Sequence, residues 1–212
     1  MKSGGPGPEK PPGGCGPAVV FDYDGTLIDS RRVKVQSYRR AVEIVFSPPE
    51  GSGGDIEASC LRTMGASRFL QLEDTLRVLK LSATRRQRER WSRVYSSLNR
   101  EALPRVSEFP SARRLLHRLK EAGYAIFAAS GILEKEFLVE LAGRGLSPFF
   151  LEASGADKAG FLRALKVRGY EPILFVGDTR YDRETAARED VSFFRIDTDR
   201  DIRRLERELL PD

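Results

Sequence analysis

Apolar positions along the chain fall into two regimes. Residues 18–21 form a short apolar run of the kind found in a buried strand, and it ends in Asp22-Tyr23-Asp24-Gly25, an acid pair followed by a turn signal. From residue 31 to 107 only helical spacing occurs. Val35, Tyr38, Ala41, Val42, Val45 and Phe46 share one face of a helix over 31–46, with Ser30 placed to cap it. Residues 47–54, rich in Ser, Pro and Gly, read as a loop. Helical periodicity resumes over 55–81 with a break near Gly65, and again over 83–103 with Trp91, Val94, Tyr95 and Leu98 inward.

Beyond residue 108 the pattern alternates. Helices are predicted over 110–122, 133–142, 158–168, 182–189 and 199–210. Strands are predicted over 124–129, 149–153, 173–176 and 191–196. Strands alternating with helices make right-handed crossovers and a parallel sheet. The expected architecture is therefore α/β: a Rossmann-like parallel-sheet core, residues 18–30 and 108–212, with an all-helical cap domain, residues 31–107, inserted after the first strand. Residues 1–17 are dominated by Gly and Pro and read as a disordered tail.

Bulk composition narrows the function classes. With 212 residues and 40% hydrophobic content, the chain can build a real core. No apolar stretch approaches a membrane span, and the first residues lack the apolar segment of a secretory signal. Cys15 and Cys60 make neither a disulfide framework nor a metal cluster, so a cytoplasmic protein is expected. The net charge of +5 is uneven: residues 31–107 hold 16 Lys and Arg against 8 Asp and Glu, while the core residues are net acidic. Basic beside acidic fits an anionic ligand held between the two; an arginine-rich chain decorating its helix faces would give the same counts.

In open parallel sheets the ligand site lies beyond the carboxyl ends of the strands. The conspicuous polar residues all fall there. Asp22 and Asp24 follow the first strand, Ser130 the second, and Asp178 and Asp182 the fourth, while Lys158 opens a helix. Four carboxylates in one crevice require a divalent cation, and a set made only of oxygen donors suits Mg²⁺. A lysine and a hydroxyl beside it suit a phosphoryl group. A carboxylate at such a metal can itself attack phosphorus. Each residue also has a plainer reading. Ser130 could be a helix cap, Lys158 a solvated lysine, Trp91 cap core, and His117 a surface residue. Arg62 and Arg68 flank Met64-Gly65-Ala66 and could grip the rest of a substrate. Residues 85–90 read as a solvated helix face.

Taken in order, Asp22-Tyr23-Asp24-Gly25-Thr26-Leu27, Ser130, Lys158 and Gly177-Asp178-Thr179-Arg180-Tyr181-Asp182 resemble the four motifs of the haloacid dehalogenase superfamily. The helical insert resembles the cap of its phosphoglycolate phosphatase and β-phosphoglucomutase branch. The resemblance implies that Asp22 carries the phosphoryl group and that Asp24 serves as acid and then base. It implies that Mg²⁺ sits on Asp22, the Asp24 carbonyl, Asp178 and Asp182, and that Ser130 and Lys158 bind phosphoryl oxygens. Two departures stand out: Gly131 follows Ser130 where many relatives have Asn, and Ala159 follows Lys158 where many have Pro. Gly131 joins Arg62 and Arg68 as a candidate substrate contact. The expected activity is hydrolysis of a small phosphorylated metabolite through an aspartyl-phosphate. The alternatives are a sugar phosphomutase and a nucleic-acid- or anion-binding protein using the basic cap, with nucleic acid the less favoured partner and no membrane partner expected. The sequence leaves the oligomeric state open.

Overall fold

A computed structural model describes residues 17–171 and 173–211. The Gly/Pro-rich tail, Cys15 included, lies outside the described residues apart from Pro17. Strand β1 (Ala18–Phe21) is followed by four helices, α1 (Arg31–Phe46), α2 (Gly53–Thr63), α3 (Arg68–Val78) and α4 (Arg85–Ala102). Then come α5 (Ala112–Glu121), β2 (Ala125–Ser130), α6 (Glu134–Gly143), β3 (Glu152–Gly155), α7 (Lys158–Val167), β4 (Ile173–Gly177), α8 (Arg180–Arg188), β5 (Ser192–Arg195) and α9 (Asp199–Leu209).

The five strands form one parallel sheet in the order β3-β2-β1-β4-β5. The chain steps outward to β2 and β3, then crosses back to β4 and β5. The direction of winding therefore reverses between β1 and β4, and a crevice opens at their carboxyl ends. Both faces of the sheet are covered, which is why the three central strands β1, β2 and β4 are apolar at nearly every position rather than alternating. Val19, Phe21, Ile126, Ala128 and Val176 pack against α5, α6 and α9. Ala18, Val20, Phe127, Ala129 and Phe175 face α7 and α8.

The inserted helices have a core of their own. Tyr38, Ala41, Val42, Ile56, Leu72, Leu76, Trp91 and Tyr95 form one buried cluster. Trp91 is fully buried, stacked on Tyr95 at 5.4 Å and edge-on to Tyr38, so its plain reading as packing holds. Among the described residues no helix is long and apolar enough to cross a membrane.

Three local expectations change. The run Phe149-Phe150-Leu151 does not start a strand: Ser147–Phe149 is a 3₁₀ turn containing Pro148, and the ladder begins at Glu152. Proline presets the turn, Phe149 buries against His117 at 4.6 Å, and Leu151 is left exposed just ahead of the edge strand β3. Helix α2 starts inside the expected loop, at Gly53. Ser30 does not cap α1 through its side chain, because that hydroxyl is engaged elsewhere. His117 is exposed, as expected of a surface residue, and the 85–90 face carries the exposed pair Arg85–Glu89.

Candidate active site

Asp22 lies one residue beyond β1, its N–H donating to the Val176 carbonyl at 2.8 Å. The chain then turns sharply, with the Leu27 N–H on the Tyr23 carbonyl at 3.0 Å. Tyr23 points into the core against Phe137. The acids on either side of it are thus sent elsewhere: Asp22 down into the crevice, Asp24 up toward the helical insert. Gly25 makes this possible. Its φ is +80°, and a Cβ there would lie 2.3 Å from Asp178 Oδ2.

Lys158 opens α7 behind Asp157, whose side chain accepts from the Gly160 N–H at 2.9 Å. The preceding Ala156 holds a left-handed φ of 70°, a strained position for a residue with a Cβ. The result is a buried ammonium with Nζ 2.7 Å from Asp22 Oδ1 and 2.6 Å from Asp182 Oδ1. Lys158 is 6% exposed, which rules out a solvated lysine. Burial alone would lower its pKa, but Asp182 and Asp22 outweigh that and raise it.

Asp182 is fixed from the other side by a capping box at the start of α8. Its backbone N–H donates to Thr179 Oγ1 at 3.1 Å, and its Oδ2 accepts from the Thr179 N–H at 3.0 Å. Asp178 is buried. Its Oδ2 accepts from Arg31 Nη2 at 3.0 Å, while its Oδ1 has no partner among the described residues. Burial, with Asp182 beside it, pushes the Asp178 carboxyl up to about 6 against the pull of Arg31. Burial likewise carries Asp22 well above the usual carboxylate range, opposed by Lys158 and reinforced by Asp182 and Asp178.

Such a cluster is unfavourable on its own terms. Asp22, Asp178 and Asp182 each present one oxygen within 4.8 Å of the others. Lys158 and Arg31 supply two positive charges against three negative ones. The unpartnered Asp178 Oδ1 and the all-oxygen donor set fit a hard divalent cation.

The four acids predicted to act together are divided by the fold. The Asp24 side chain leaves the cluster. It accepts from Ser30 Oγ at 2.8 Å on Oδ1 and faces Lys34 Nζ at 2.8 Å on Oδ2. Burial would lower the Lys34 pKa, yet Asp24 raises it. Above these residues lies a pocket of about 80 Å³, floored by Asp22, Asp24, Ser130, Gly131 and Lys158 and roofed by Met64, Arg68, Gln71 and Tyr95 from the insert. Ser130 is buried at the end of β2 with its Oγ accepting from the Ile132 N–H at 3.2 Å. It does not cap α6, whose first residue is Glu134.

The roof is latched to the core. Arg68 reaches Glu136 of α6 at 3.2 Å, and Ser96 Oγ donates to the same carboxylate at 2.8 Å. Gly65, at φ +90°, lies so close to the core that a Cβ would be 2.4 Å from Thr179 Oγ1. Arg62 does not share the pocket with Arg68: it pairs with Asp74 at 2.5 Å, is half exposed, and lines a side cleft. Sequence reasoning missed Arg31, Lys34 and Glu136. Lys34 sits one helical turn after Ser30, and that spacing is the signal that could have found it. In a helix carrying five other basic or acidic residues it looked like decoration. Glu136 and Arg31 carry no such signal, because their partners are far away in sequence.

Residues 17–190 match the family model described as haloacid dehalogenase-like hydrolase. A phosphoglycolate phosphatase of Mesorhizobium japonicum is 24% identical over 204 residues, spanning 90% of this chain and 88% of that protein. A hydrolase from Pseudomonas syringae superposes with a TM-score of 0.74 at 22% identity, over 89% of this chain and 90% of the other. A predicted phosphoglycolate phosphatase from Haemophilus somnus 129PT superposes with a TM-score of 0.68 at 21% identity, over 83% of each.

Proposed function

As this chain belongs to the haloacid dehalogenase-like hydrolase family, we propose that it is a Mg²⁺-dependent phosphatase acting on a small phosphomonoester through an aspartyl-phosphate. The observation that carries this reading is the division of the first acid pair. Asp22 lies in the buried cluster with Lys158 at 2.7 Å, while Asp24 faces the roofed pocket between Ser30 and Lys34. In this reading one carboxylate meets phosphorus and the other meets the leaving oxygen.

Substrate binds with its phosphoryl group between Ser130 and Lys158. The lysine has three donors and spends two on Asp22 and Asp182, leaving one for a phosphoryl oxygen. An Asp22 carboxylate oxygen attacks phosphorus, and the bond from phosphorus to the leaving oxygen breaks. Asp24, carrying a proton, passes it to that oxygen. Asp24, now a carboxylate, takes a proton from water as the water oxygen attacks phosphorus. The bond between Asp22 and phosphorus breaks, inorganic phosphate leaves, and Asp22 is restored. Asp22, Asp178, Asp182 and the Asp24 carbonyl would hold Mg²⁺, which supplies positive charge for the transferring phosphoryl oxygens. It would also oppose the burial that pushes the Asp22 carboxyl upward.

The helical insert, residues 31–107, serves as the cap over the core of residues 18–30 and 108–212. Its pocket of about 80 Å³ is roofed by Arg68, Gln71 and Tyr95 with Lys34 beside them, a lining that favours a small polar or acidic leaving group. That agrees with the phosphoglycolate phosphatase among its relatives. Gly131, where a longer residue would narrow the floor, completes the substrate surface. Arg62, outside this pocket, is assigned to the surface of the cleft beside it.

The test is phosphate release from p-nitrophenyl phosphate, phosphoglycolate and a panel of small phosphomonoesters, with and without Mg²⁺, for wild type and Asp22→Asn. Mg²⁺-dependent release abolished in Asp22→Asn is expected. Folded protein that releases nothing from any member, but converts a sugar phosphate when a bisphosphate is added, would replace the reading with a phosphomutase.

A further inference from the structure

Two cations pair with the acid cluster, and they are built differently. Lys158 is enclosed, its side chain 5% exposed, and bridges two carboxylates. Arg31 is the first residue of α1, has a side chain 40% exposed, and approaches Asp178 alone from the solvent side. It also has a second anion within reach: Nη2 is 3.4 Å from Asp197 Oδ1. Asp197 lies just past the end of β5, held by Arg195 at 2.6 and 3.0 Å. Asp178 cannot retreat, because Gly25 packs against its carboxylate so closely that a Cβ would meet it at 2.3 Å.

We infer that Arg31, held on Asp178 Oδ2, is a tethered counter-ion that competes by charge with a divalent cation arriving at the free Oδ1 and is drawn off toward Asp197, so that Arg31 sets how tightly the site takes its metal. The inference rests on the metal-dependent reading above. Charge favours the exchange. With Lys158 and Arg31 in place, the three carboxylates of the cluster keep one net negative charge. With Arg31 moved away they keep two, matching a dication. Geometry favours it too, since the guanidinium needs only to shift from one carboxylate to another already 3.4 Å away. Arg31 also begins the first cap helix directly after the turn that carries Asp24. Metal entry therefore changes a contact at the root of the cap.

The experiment is a Mn²⁺ titration of the full chain without substrate, with free Mn²⁺ measured by electron paramagnetic resonance. Wild type, Arg31→Gln, Arg31→Lys, Asp197→Asn and Asp178→Asn are compared, each checked for folding by circular dichroism. Loss of the competing cation should tighten Mn²⁺ binding about fivefold in Arg31→Gln, the scale of one partly exposed ion pair. Arg31→Lys, which keeps the charge, should stay near wild type. Asp197→Asn should weaken binding in wild type and leave Arg31→Gln unchanged. Equal or weaker binding in folded Arg31→Gln overturns the inference while leaving the metal site intact, provided Asp178→Asn still abolishes binding. Mn²⁺ binding that survives Asp178→Asn, or is missing from wild type, overturns the metal site and the inference together.

Discussion

Replacing Lys158 by methionine keeps most of the side-chain volume and removes one buried charge. The ammonium lies 2.7 Å from Asp22 and 2.6 Å from Asp182, whose side chains are 4% and 0% exposed. Without it two buried carboxylates face each other. Removing one partner of a buried pair costs about 3–5 kcal/mol, a large share of the roughly 5–15 kcal/mol that holds a domain together. The variant has one escape, which is to bind a proton. Protonating a carboxyl with an ordinary value near 3.9 costs about 1.4 kcal/mol per pH unit, so roughly 5.5 kcal/mol at pH 8 and roughly 2 kcal/mol at pH 5.5. That sets a ceiling on the loss at each pH. The sign follows from linkage. A carboxyl whose folded pKa is raised binds more protons folded than unfolded, so stability falls as pH rises between the unfolded and folded values. Lys158 itself, with its pKa raised, stays charged across this range and adds no slope in wild type. Guanidinium unfolding followed by circular dichroism, in EDTA, should therefore show Lys158→Met destabilised by about 3–5 kcal/mol at pH 8 and about 2 kcal/mol or less at pH 5.5. A loss below about 1 kcal/mol at pH 8, or one that does not shrink at pH 5.5, would refute the buried ion triad.

Three further outcomes are expected. Lys34→Met should lower kcat by about a hundredfold with the fold intact, because Asp24 loses the partner that aims it; steady-state phosphate release measures this, and an unchanged kcat removes Lys34 from the site. Gly25→Ala should lose about 1–2 kcal/mol from its left-handed φ and also lose the rise in melting temperature that Mg²⁺ gives wild type, since its Cβ would displace Asp178. Glu206 lies under Arg114 at 2.8 Å and Arg118 at 3.2 Å; burial would push its carboxyl up, but the two guanidinium groups hold it below the usual range. Its contribution is thus present above the unfolded value of about 4.3 and lost as pH falls through the lower folded value, so Glu206→Gln should melt earlier than wild type at pH 7, with the difference shrinking as pH falls below about 4.3. Coincident melting curves at pH 7 would remove that contribution.

Periodicity and local chemistry determined most of the architecture. The strand–helix alternation after residue 108 and the purely helical spacing over 31–107 depend on near neighbours in sequence, and the structure keeps them. The same holds for Asp22, Asp24, Asp178 and Asp182 as residues at strand ends, because a strand's carboxyl end is a local fact. The Thr179–Asp182 capping box is equally local. The run Phe149-Phe150-Leu151 misled because a turn can bury an aromatic as well as a pleat can, and Pro148 decided between them. Only the tertiary structure decided which charges meet. Lys158 faces two acids because β1, β4 and the start of α7 converge at the reversal of the sheet. Glu136 grips Arg68 and Ser96 because the insert folds back onto α6. Arg31 reaches Asp178 across 147 residues. Such partnerships depend on where distant segments are brought by burial of the two sheet faces and of the Trp91 cluster, and electrostatic pairing leaves no period in a sequence. The chain wrote down its acids and its helices; packing chose the cation that each acid would face.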